Sequence, residues 1–566
     1  VNGFTAPEVA WGALSPVLVV LGAAVVGVLV EAFVPARARR LVQVVLALLA
    51  LLGALVAVGL LWGGVERTGG TAVLGGSLVV DGPALVCQAV VAVLALLSLL
   101  VLADRTRAGQ GAIAPSVATV PGSEAERLAR EKGLQQTEVY PLVLFATGGM
   151  LVFPAAGDLL TLFVALEVLS LPLYLLSGTA RERRLLSQEA SLKYFLLGAF
   201  ASAVLLFGVA LLYGYSGSLR YADIAAATAT PSPLDGLLVL GSVLVLVGLL
   251  FKVGAMPFHS WTPDVYQGAP TPVTAFMAAC TKVAAVGALL RFVYVVVPGL
   301  QWDLAPVLWG VAIVTMVAAT VVAMVQTDVK RMLGYSSVAH AGFLLTGVVA
   351  LDERGVSGTL FYLLAYGVAT VGAFAVVSLV RQGRSGGAQL EAADLSAWDG
   401  LARRSPVLAL AFSVFLLSFA GIPLTGGFLG KFSVFSAAVD GGAWPLALVG
   451  VLASAAAAYF YVRVIVRMYF TPPADEALPA DEVLLVDDAT AGSPSDAATG
   501  TGATALGTAG TGTLVAARPA ATRTAVATSQ GLTAVTVVVC LIGTVLLGVL
   551  PQPVLDLVGS AAVFLP

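Results

Sequence analysis

Charge is what this chain has least of. Only 11% of its 566 residues are charged, against 59% hydrophobic, and the mean hydropathy is +0.98. A soluble domain carries about 25% charged residues. There is too little polar surface here to face water, so the bilayer is the expected solvent. Cysteine is also scarce. Cys87, Cys280 and Cys540 lie far apart in apolar runs with no CxxC, which argues against a cysteine-bound zinc or iron–sulfur site. There is no GxGxxG following a strand, no P-loop, no HExxH and no haem-attachment pattern. Nor is there a multi-carboxylate cage for a metal. Nucleotide, flavin and cluster chemistry are therefore not expected in this chain, nor is a nucleic-acid partner.

What the sequence does have is apolar runs of membrane length. Spanning a bilayer as a helix takes roughly 20 apolar residues. Fourteen runs qualify, at about 11–34, 41–62, 79–103, 139–156, 159–179, 191–214, 236–265, 272–297, 303–326, 334–351, 358–380, 406–438, 443–470 and 531–550. The first is span-length rather than the short core of a cleaved signal. The seventh and twelfth are too long for one straight helix, and both hold Gly and Pro, in "VGAMPF" and "FAGIPL". They lie five spans apart. Because five is odd, spans 4–8 (139–297) and 9–13 (303–470) would be inverted copies, an arrangement typical of transporters. The fold class expected is an all-α polytopic membrane protein of about fourteen helices, with inverted five-helix repeats and discontinuous helices 7 and 12. Residues 1–103 form an N-terminal three-helix segment and 531–566 a C-terminal helix. Residues 104–138 read as a polar loop with a short surface helix in "SEAERLAREKGLQQTE". Residues 471–530, rich in Ala, Gly and Thr, read as a disordered insertion.

Positive charge is distributed unevenly between the loops. Loops after odd-numbered spans hold 21 of the 29 Lys and Arg residues, and even loops hold only Arg67, Arg220 and Arg354. By the positive-inside rule the odd loops face the cytoplasm and both termini face the other side. The remaining five, Lys193, Lys252, Lys282, Arg291 and Lys431, fall inside spans.

A charge at a helix centre costs about 2.5–3.5 kcal/mol, so such residues are functional candidates by default. Glu167 is nine residues past Asp158, about 13 Å deep at 1.5 Å per residue. Lys282 is about 15 Å into its span by the same rise. Lys252 and Lys431 sit in the two over-long spans, where a break frees backbone groups that are tolerated only beside a cavity or inside protein. Lys193 and Arg291 lie nearer span ends, where a long side chain can reach the interface instead. His259 and His340, the only histidines, both fall at membrane depth and are candidate proton relays. A row of Lys, Glu and His with no metal cage has the makings of a proton conduit.

"FKVGAMPFHSWTPDVYQGAPTPVTAFMAACTK" (251–282), "KRMLGYSSVAHAG" (330–342) and "GIPLTGGFLGKF" (421–432) resemble the antiporter-like membrane subunits of respiratory complex I. Lysine rather than glutamate at position 431 and the lack of a long lateral helix make the N-type (ND2) branch the most similar. The resemblance implies a proton-translocating subunit of the NADH:quinone oxidoreductase membrane arm, in a bacterial plasma membrane beside other antiporter-like and small subunits. It implies that NADH, FMN, iron–sulfur clusters and quinone belong to partner subunits. It also implies that Glu167 pairs with Lys252, that Lys282 lies on a central hydrophilic axis, that Lys431 faces the exit or a neighbouring subunit, and that Lys193 is a functional sixth-span lysine. His259 and His340 fall where relays are expected. The alternatives are a subunit of an Mrp-type sodium/proton antiporter and an arm subunit that conducts nothing.

Overall fold

In hydrocarbon every backbone N–H and C=O must be satisfied within the segment, so an apolar run of this length folds as a helix. The computed structural model describes residues 9–106, 111–114, 123–131, 136–229, 231–296, 298–383, 389–472, 524–527 and 531–565. Among them twelve helices are long and apolar enough to cross a membrane, and two shorter apolar ones are Val139–Ala155 and Pro406–Ala420. Each predicted run thus becomes a helix. Spans 1–3 are Trp11–Phe33, Ala36–Thr68 and Gly82–Ala103. Spans 4–6 are Val139–Ala155, Leu159–Ser177 and Arg184–Ser216. Span 7 is Asp235–Val253 followed, after a break, by Trp261–Gly268, and span 8 is Thr271–Val296. Spans 9–11 are Gln301–Met324, Val329–Val349 and Glu353–Leu379. Span 12 is Pro406–Ala420 and, after a break, Gly426–Asp440; spans 13 and 14 are Trp444–Phe470 and Leu532–Val549.

Both breaks fall in the fourth member of their five-span set, as an internal repeat requires, and they are built alike. Gly254 (φ 82°) and Gly421 (φ 82°) each adopt the left-handed conformation that ends a helix. The Gly254 N–H donates to Leu250 O and Phe251 O and the Ala255 N–H to Leu250 O. In span 12 the Gly421 N–H donates to Leu417 O and Ser418 O and the Ile422 N–H to Leu417 O.

The loop parity inferred from charge is visible as contacts. At one end, Arg181 pairs with Glu126, Arg183 with Asp328, Arg381 with Glu182, and Arg467 with Asp399, so the loops after spans 3, 5, 9 and 11 meet one another and the end of span 13. We call this the basic-loop end. At the other, the Asp158 backbone forms an antiparallel β-bridge with that of Arg220, and Arg354 pairs with Asp440. The expected helix in the 104–138 loop is present at Glu124–Glu131.

Among the described residues, five short strands depart from the helical pattern. β1 (Thr71–Val73) and β2 (Leu78–Val80) form a hairpin after span 2. β3 (Val380–Gly383) lies between β4 (Gln389–Glu391) and β5 (Thr524–Val526), antiparallel to both. Most of the expected disordered insertion 471–530 lies outside the described residues. The expectation fails at 524–526, where Thr-Ala-Val supplies a third strand, because β3 would otherwise present a free edge.

Candidate functional site

The interior holds a row of ionisable and hydroxyl side chains that crosses the bundle through both breaks. It begins at span 7. Lys252 is 2% exposed. Its Nζ donates to Ser170 Oγ at 2.8 Å and Tyr194 Oη at 3.1 Å, and it lies 5.2 Å from the Tyr194 ring centroid. Tyr194 in turn stacks on Trp261 (4.6 Å, 8°), whose Nε1–H donates to Phe251 O at 2.8 Å. The second half of span 7 therefore clamps the first through an indole.

Lys282, 3% exposed, comes next. Its Nζ donates to Val253 O at 3.3 Å and Ser337 O at 2.8 Å and sits 5.6 Å from the Tyr366 centroid. Val253 O is a carbonyl that the break leaves without an intrahelical partner. The C-terminal end of a half-helix carries partial negative charge, which suits an ammonium.

His340 lies one turn beyond Ser337. It is 1% exposed, with Nδ1 2.6 Å from Tyr362 Oη and Nε2 3.3 Å from Tyr461 Oη. Its ring is 4.8 Å from Tyr366 and 5.5 Å from Phe419. Lys431, 4% exposed, completes the row. Its Nζ donates to Phe419 O at 2.7 Å, Ala420 O at 3.2 Å and Ser454 Oγ at 2.7 Å. Phe419 and Ala420 end the first half of span 12, so Lys431 stands to Gly421 as Lys282 stands to Gly254.

The remaining expectations are placed differently. The Glu167–Lys252 ion pair is absent: Lys252 is held by hydroxyls, and Glu167 Oε1 is buried with no hydrogen-bond partner. Glu167 lies one turn before Ser170 on span 5, so the hydroxyl stands where the carboxylate was expected. Lys193 is off the row. Its side chain is 43% exposed and bridges Glu189 Oε1 at 2.6 Å and Asp264 Oδ2 at 2.9 Å. Asp264 also binds Arg331 Nη1 at 2.7 Å. His259 is half-buried in the segment joining the halves of span 7, and its ring lies 6.2 Å from Tyr335, away from the partners of Lys252. Arg291 corrects an expectation outright. It does not reach the interface but is 1% exposed, donating from Nη2 to Asp81 Oδ1 at 2.6 Å and from Nε to Pro154 O at 2.7 Å. Asp81 is fully buried, which makes this inward pairing available.

Sequence reasoning missed Ser170, Tyr194, Tyr362, Tyr366, Tyr461 and Ser454, because a hydroxyl in an apolar run carries no charge signal. The usable clue is "HAGFLLTG" facing "FYLLAY": two tyrosines four residues apart on one helix face.

A family model described as NADH:quinone oxidoreductase/Mrp antiporter, TM matches residues 156–456, which covers both breaks and Lys252, Lys282, His340 and Lys431. NADH-quinone oxidoreductase subunit N from Beutenbergia cavernae is 60% identical over 99% of this chain and 99% of its own length. The subunit N from Rhodococcus opacus is 52% identical over 99% of this chain and 97% of its own. Among solved structures, a chain of respiratory complex I from Thermus thermophilus with bound aureothin is 31% identical, with a TM-score of 0.70 over 96% of this chain and 100% of that one. A chain of the Mrp complex from Dietzia sp. shares the fold, at a TM-score of 0.72 and 24% identity over 97% of each chain. With sequence and fold in agreement over nearly its full length, this chain belongs to the NADH-quinone oxidoreductase subunit N family.

Proposed function

We propose that this chain is the proton-translocating membrane-arm subunit of an NADH:quinone oxidoreductase, and that protons move along Lys252, Lys282, His340 and Lys431. One observation carries the reading. Each broken helix offers its freed terminal carbonyls to a buried lysine, and a histidine bracketed by two phenols lies between the two lysines. An ammonium held by neutral carbonyls has a site ready for it but no counter-ion. A change of charge nearby is then enough to displace its proton. Glu167 supplies that change. If Lys252 swings from Ser170 to Glu167, it gains a carboxylate partner and keeps its proton; on swinging back it releases it. Moving one charge against 100 mV takes about 2.3 kcal/mol, within the reach of one such re-pairing.

The redox groups, FMN, iron–sulfur clusters and quinone, belong in partner subunits, and other antiporter-like and small membrane subunits flank this one. The membrane is the bacterial plasma membrane, with the basic-loop end in the cytoplasm and both termini opposite. The row extends from Lys252 on span 7 to Lys431 on span 12, Glu167 of span 5 stands beside its start, and Lys193 and His259 act at its edge rather than within it.

The test is made in the assembled complex in inside-out vesicles. Lys282→Ala should abolish this subunit's share of NADH-driven proton uptake while NADH oxidation by an artificial acceptor persists. Normal pumping in that variant would leave the chain a structural arm component. Purification with cation-antiporter subunits and without NADH dehydrogenase subunits would instead favour the Mrp-type reading.

A further inference from the structure

The row has an unexplained neighbour at the basic-loop end. A cavity there is lined by Ala180, Glu182, Gln267, Ala269, Lys330 and Glu391, among others. Its acidic groups come from the loop after span 5 and from the β3–β4 hairpin, and its buried cation comes from the first turn of span 10. Lys330 counts as a loop residue by sequence position. Its side chain is nevertheless only 5% exposed, and its Nζ donates to Ala269 O at 2.7 Å and lies 3.8 Å from Glu391 Oε2.

Backbone bonds set the hairpin's register, Arg381↔Glu391, Gln382↔Leu390 and Gly383↔Gln389, and the Glu391 carboxylate adds to them. The Ala392 N–H donates to Val380 O, the Val329 N–H to Ala393 O and the Trp398 indole N–H to Ala392 O. With the backbone anchored, the side chain points inward, 17% exposed, and accepts a 2.7 Å hydrogen bond from Thr271 Oγ1. Thr271 and Lys330 head spans 8 and 10, the helices that carry Lys282 and Ser337. Lys330 and Ser337 are seven residues apart, two turns on one face, a rise of roughly 10 Å. The space between is edged by hydroxyls. Thr274 Oγ1 donates to Tyr266 O at 3.2 Å, and Tyr266 Oη lies 3.4 Å from Ser337 Oγ. Ser337 O is the acceptor for the Lys282 ammonium.

We propose that Glu391 is the proton collector for Lys282 at the basic-loop end, above a column edged by the hydroxyls of Thr271, Thr274, Tyr266 and Ser337. The proposal rests on the proton-translocation reading above. Glu391 takes one proton from the aqueous side of the cavity, passes one down the column and returns to the carboxylate, so nothing but the proton is transferred. The charged groups that face it are Lys330 from span 10, Arg381 from β3, and Arg183 and Glu182 from the loop after span 5, while Asp328, just ahead of span 10, acts on Lys330. They push the two carboxylates apart. Burial opposes the Glu391 charge, but Lys330, Arg381, the Thr271 hydroxyl and Arg183 outweigh it and hold Glu391 below the usual carboxylate range. Burial first, and then the charge of Glu391, lift Glu182 above that range. Two adjacent carboxyls with separated affinities suit one to hold a proton while the other exchanges it.

The experiment measures NADH:quinone turnover and proton uptake by the whole complex in inside-out vesicles from pH 6 to pH 8. Without a collector, uptake depends on free protons. The activity of Glu391→Gln relative to wild type should therefore fall by about threefold or more from pH 6 to pH 8, a modest part of what a positioned acid–base group contributes. Glu391→Asp should restore most of it. If Glu391→Gln does not assemble, Thr271→Val is read in its place, since it removes one hydroxyl and keeps the shape. A ratio to wild type that does not change with pH, whether near one or uniformly low, overturns the assignment. Lys282→Ala is the companion measurement. If it stops pumping while Glu391→Gln behaves as wild type, only the collector is wrong. If it pumps normally, the translocation reading itself has failed.

Discussion

The Lys282 ammonium donates to the Val253 carbonyl, one residue before the glycine that ends the first half of span 7. Lys431 makes the same bond to Ala420, one residue before the glycine that ends the first half of span 12. The equivalent lysines of the two repeats are therefore Lys282 and Lys431, although one comes from a neighbouring helix and the other from the far half of its own. Lys252 lies before its break and is satisfied by side-chain hydroxyls.

This difference predicts an order of stability. Lys282→Met and Lys431→Met each leave a freed carbonyl, Val253 O and Phe419 O, without a donor, at about 1–3 kcal/mol for a buried unsatisfied group. Lys252→Met leaves hydroxyls, which can turn to other acceptors, and should cost less. Thermal unfolding of the purified complex, followed in this subunit, measures the ranking; a Lys252→Met loss equal to the others would contradict it.

Gly254→Ala should impair pumping without blocking insertion. A Cβ there would lie 2.8 Å from Thr262 Oγ1, on a residue with φ 82°. The left-handed conformation alone costs about 1–2 kcal/mol for a residue with a side chain. Relieving it moves Val253 O away from Lys282. Proton uptake per NADH is the measurement, with membrane content of the subunit as the control.

Arg291→Met should destabilise this subunit by about 3–5 kcal/mol, the usual penalty for stranding one partner of a buried pair. Asp81 also accepts from the Ala84 N–H and the Leu565 N–H, and Phe564 packs 5.0 Å from the guanidinium. Limited proteolysis should therefore release the C-terminal residues first. Asp81→Leu combined with Arg291→Met should recover part of the loss, and a double variant as unstable as the sum of the singles would contradict the pairing.

The phenols around His340 should not be equivalent. Tyr362→Phe removes the 2.6 Å contact to Nδ1, whereas Tyr461→Phe removes the 3.3 Å contact to Nε2 and the Ser336 bond. If the shorter contact carries the proton, Tyr362→Phe slows turnover more, by about tenfold, below the usual range for losing an acid–base partner. Steady-state NADH:quinone rates in matched vesicles decide between them.

The hairpin should respond to pH from both sides. Glu391 has a folded-state affinity below its unfolded one, so its stabilisation is present above the unfolded pKa and is lost as pH falls through the folded value. Glu182 is shifted the other way. Its stabilisation is present below the unfolded pKa and is lost as pH rises through the raised folded value. Protection of the β3 and β4 amides, taken relative to the free-peptide exchange rate at each pH, should therefore be highest between the two folded-state values. Glu182→Gln, which keeps an acceptor for the Glu391 N–H, should extend protection on the alkaline side only; widening on the acid side would reverse the assignment.

Fourteen apolar runs, both breaks and the burial of Lys252, Lys282, His340 and Lys431 could be read from hydropathy and position, because an apolar run of that length folds as a membrane helix and a polar group at its middle cannot reach water. The partners were less legible. A charge such as Arg291 announces itself, but whether it turns outward or inward depends on an aspartate 210 residues away. Glu167 and Lys252 have opposite charges at matching depth, yet Ser170 and Tyr194 intervene, and neither differs in pattern from an ordinary small or aromatic packing residue. Lys330 was counted with the loops because it follows a span, and only the hairpin folding back over it makes it internal.

The strand pairing of β5 with β3 also bears on how this chain assembles. Thr524–Val526 is fixed to Val380–Gln382, and the Thr533 N–H is bound to Asp104, so the start of span 14 is moored to spans 3 and 11 and not to span 13. Span 14 can therefore take its seat only once the ends of spans 3 and 11 are in place, which makes its docking a late step in assembling the bundle.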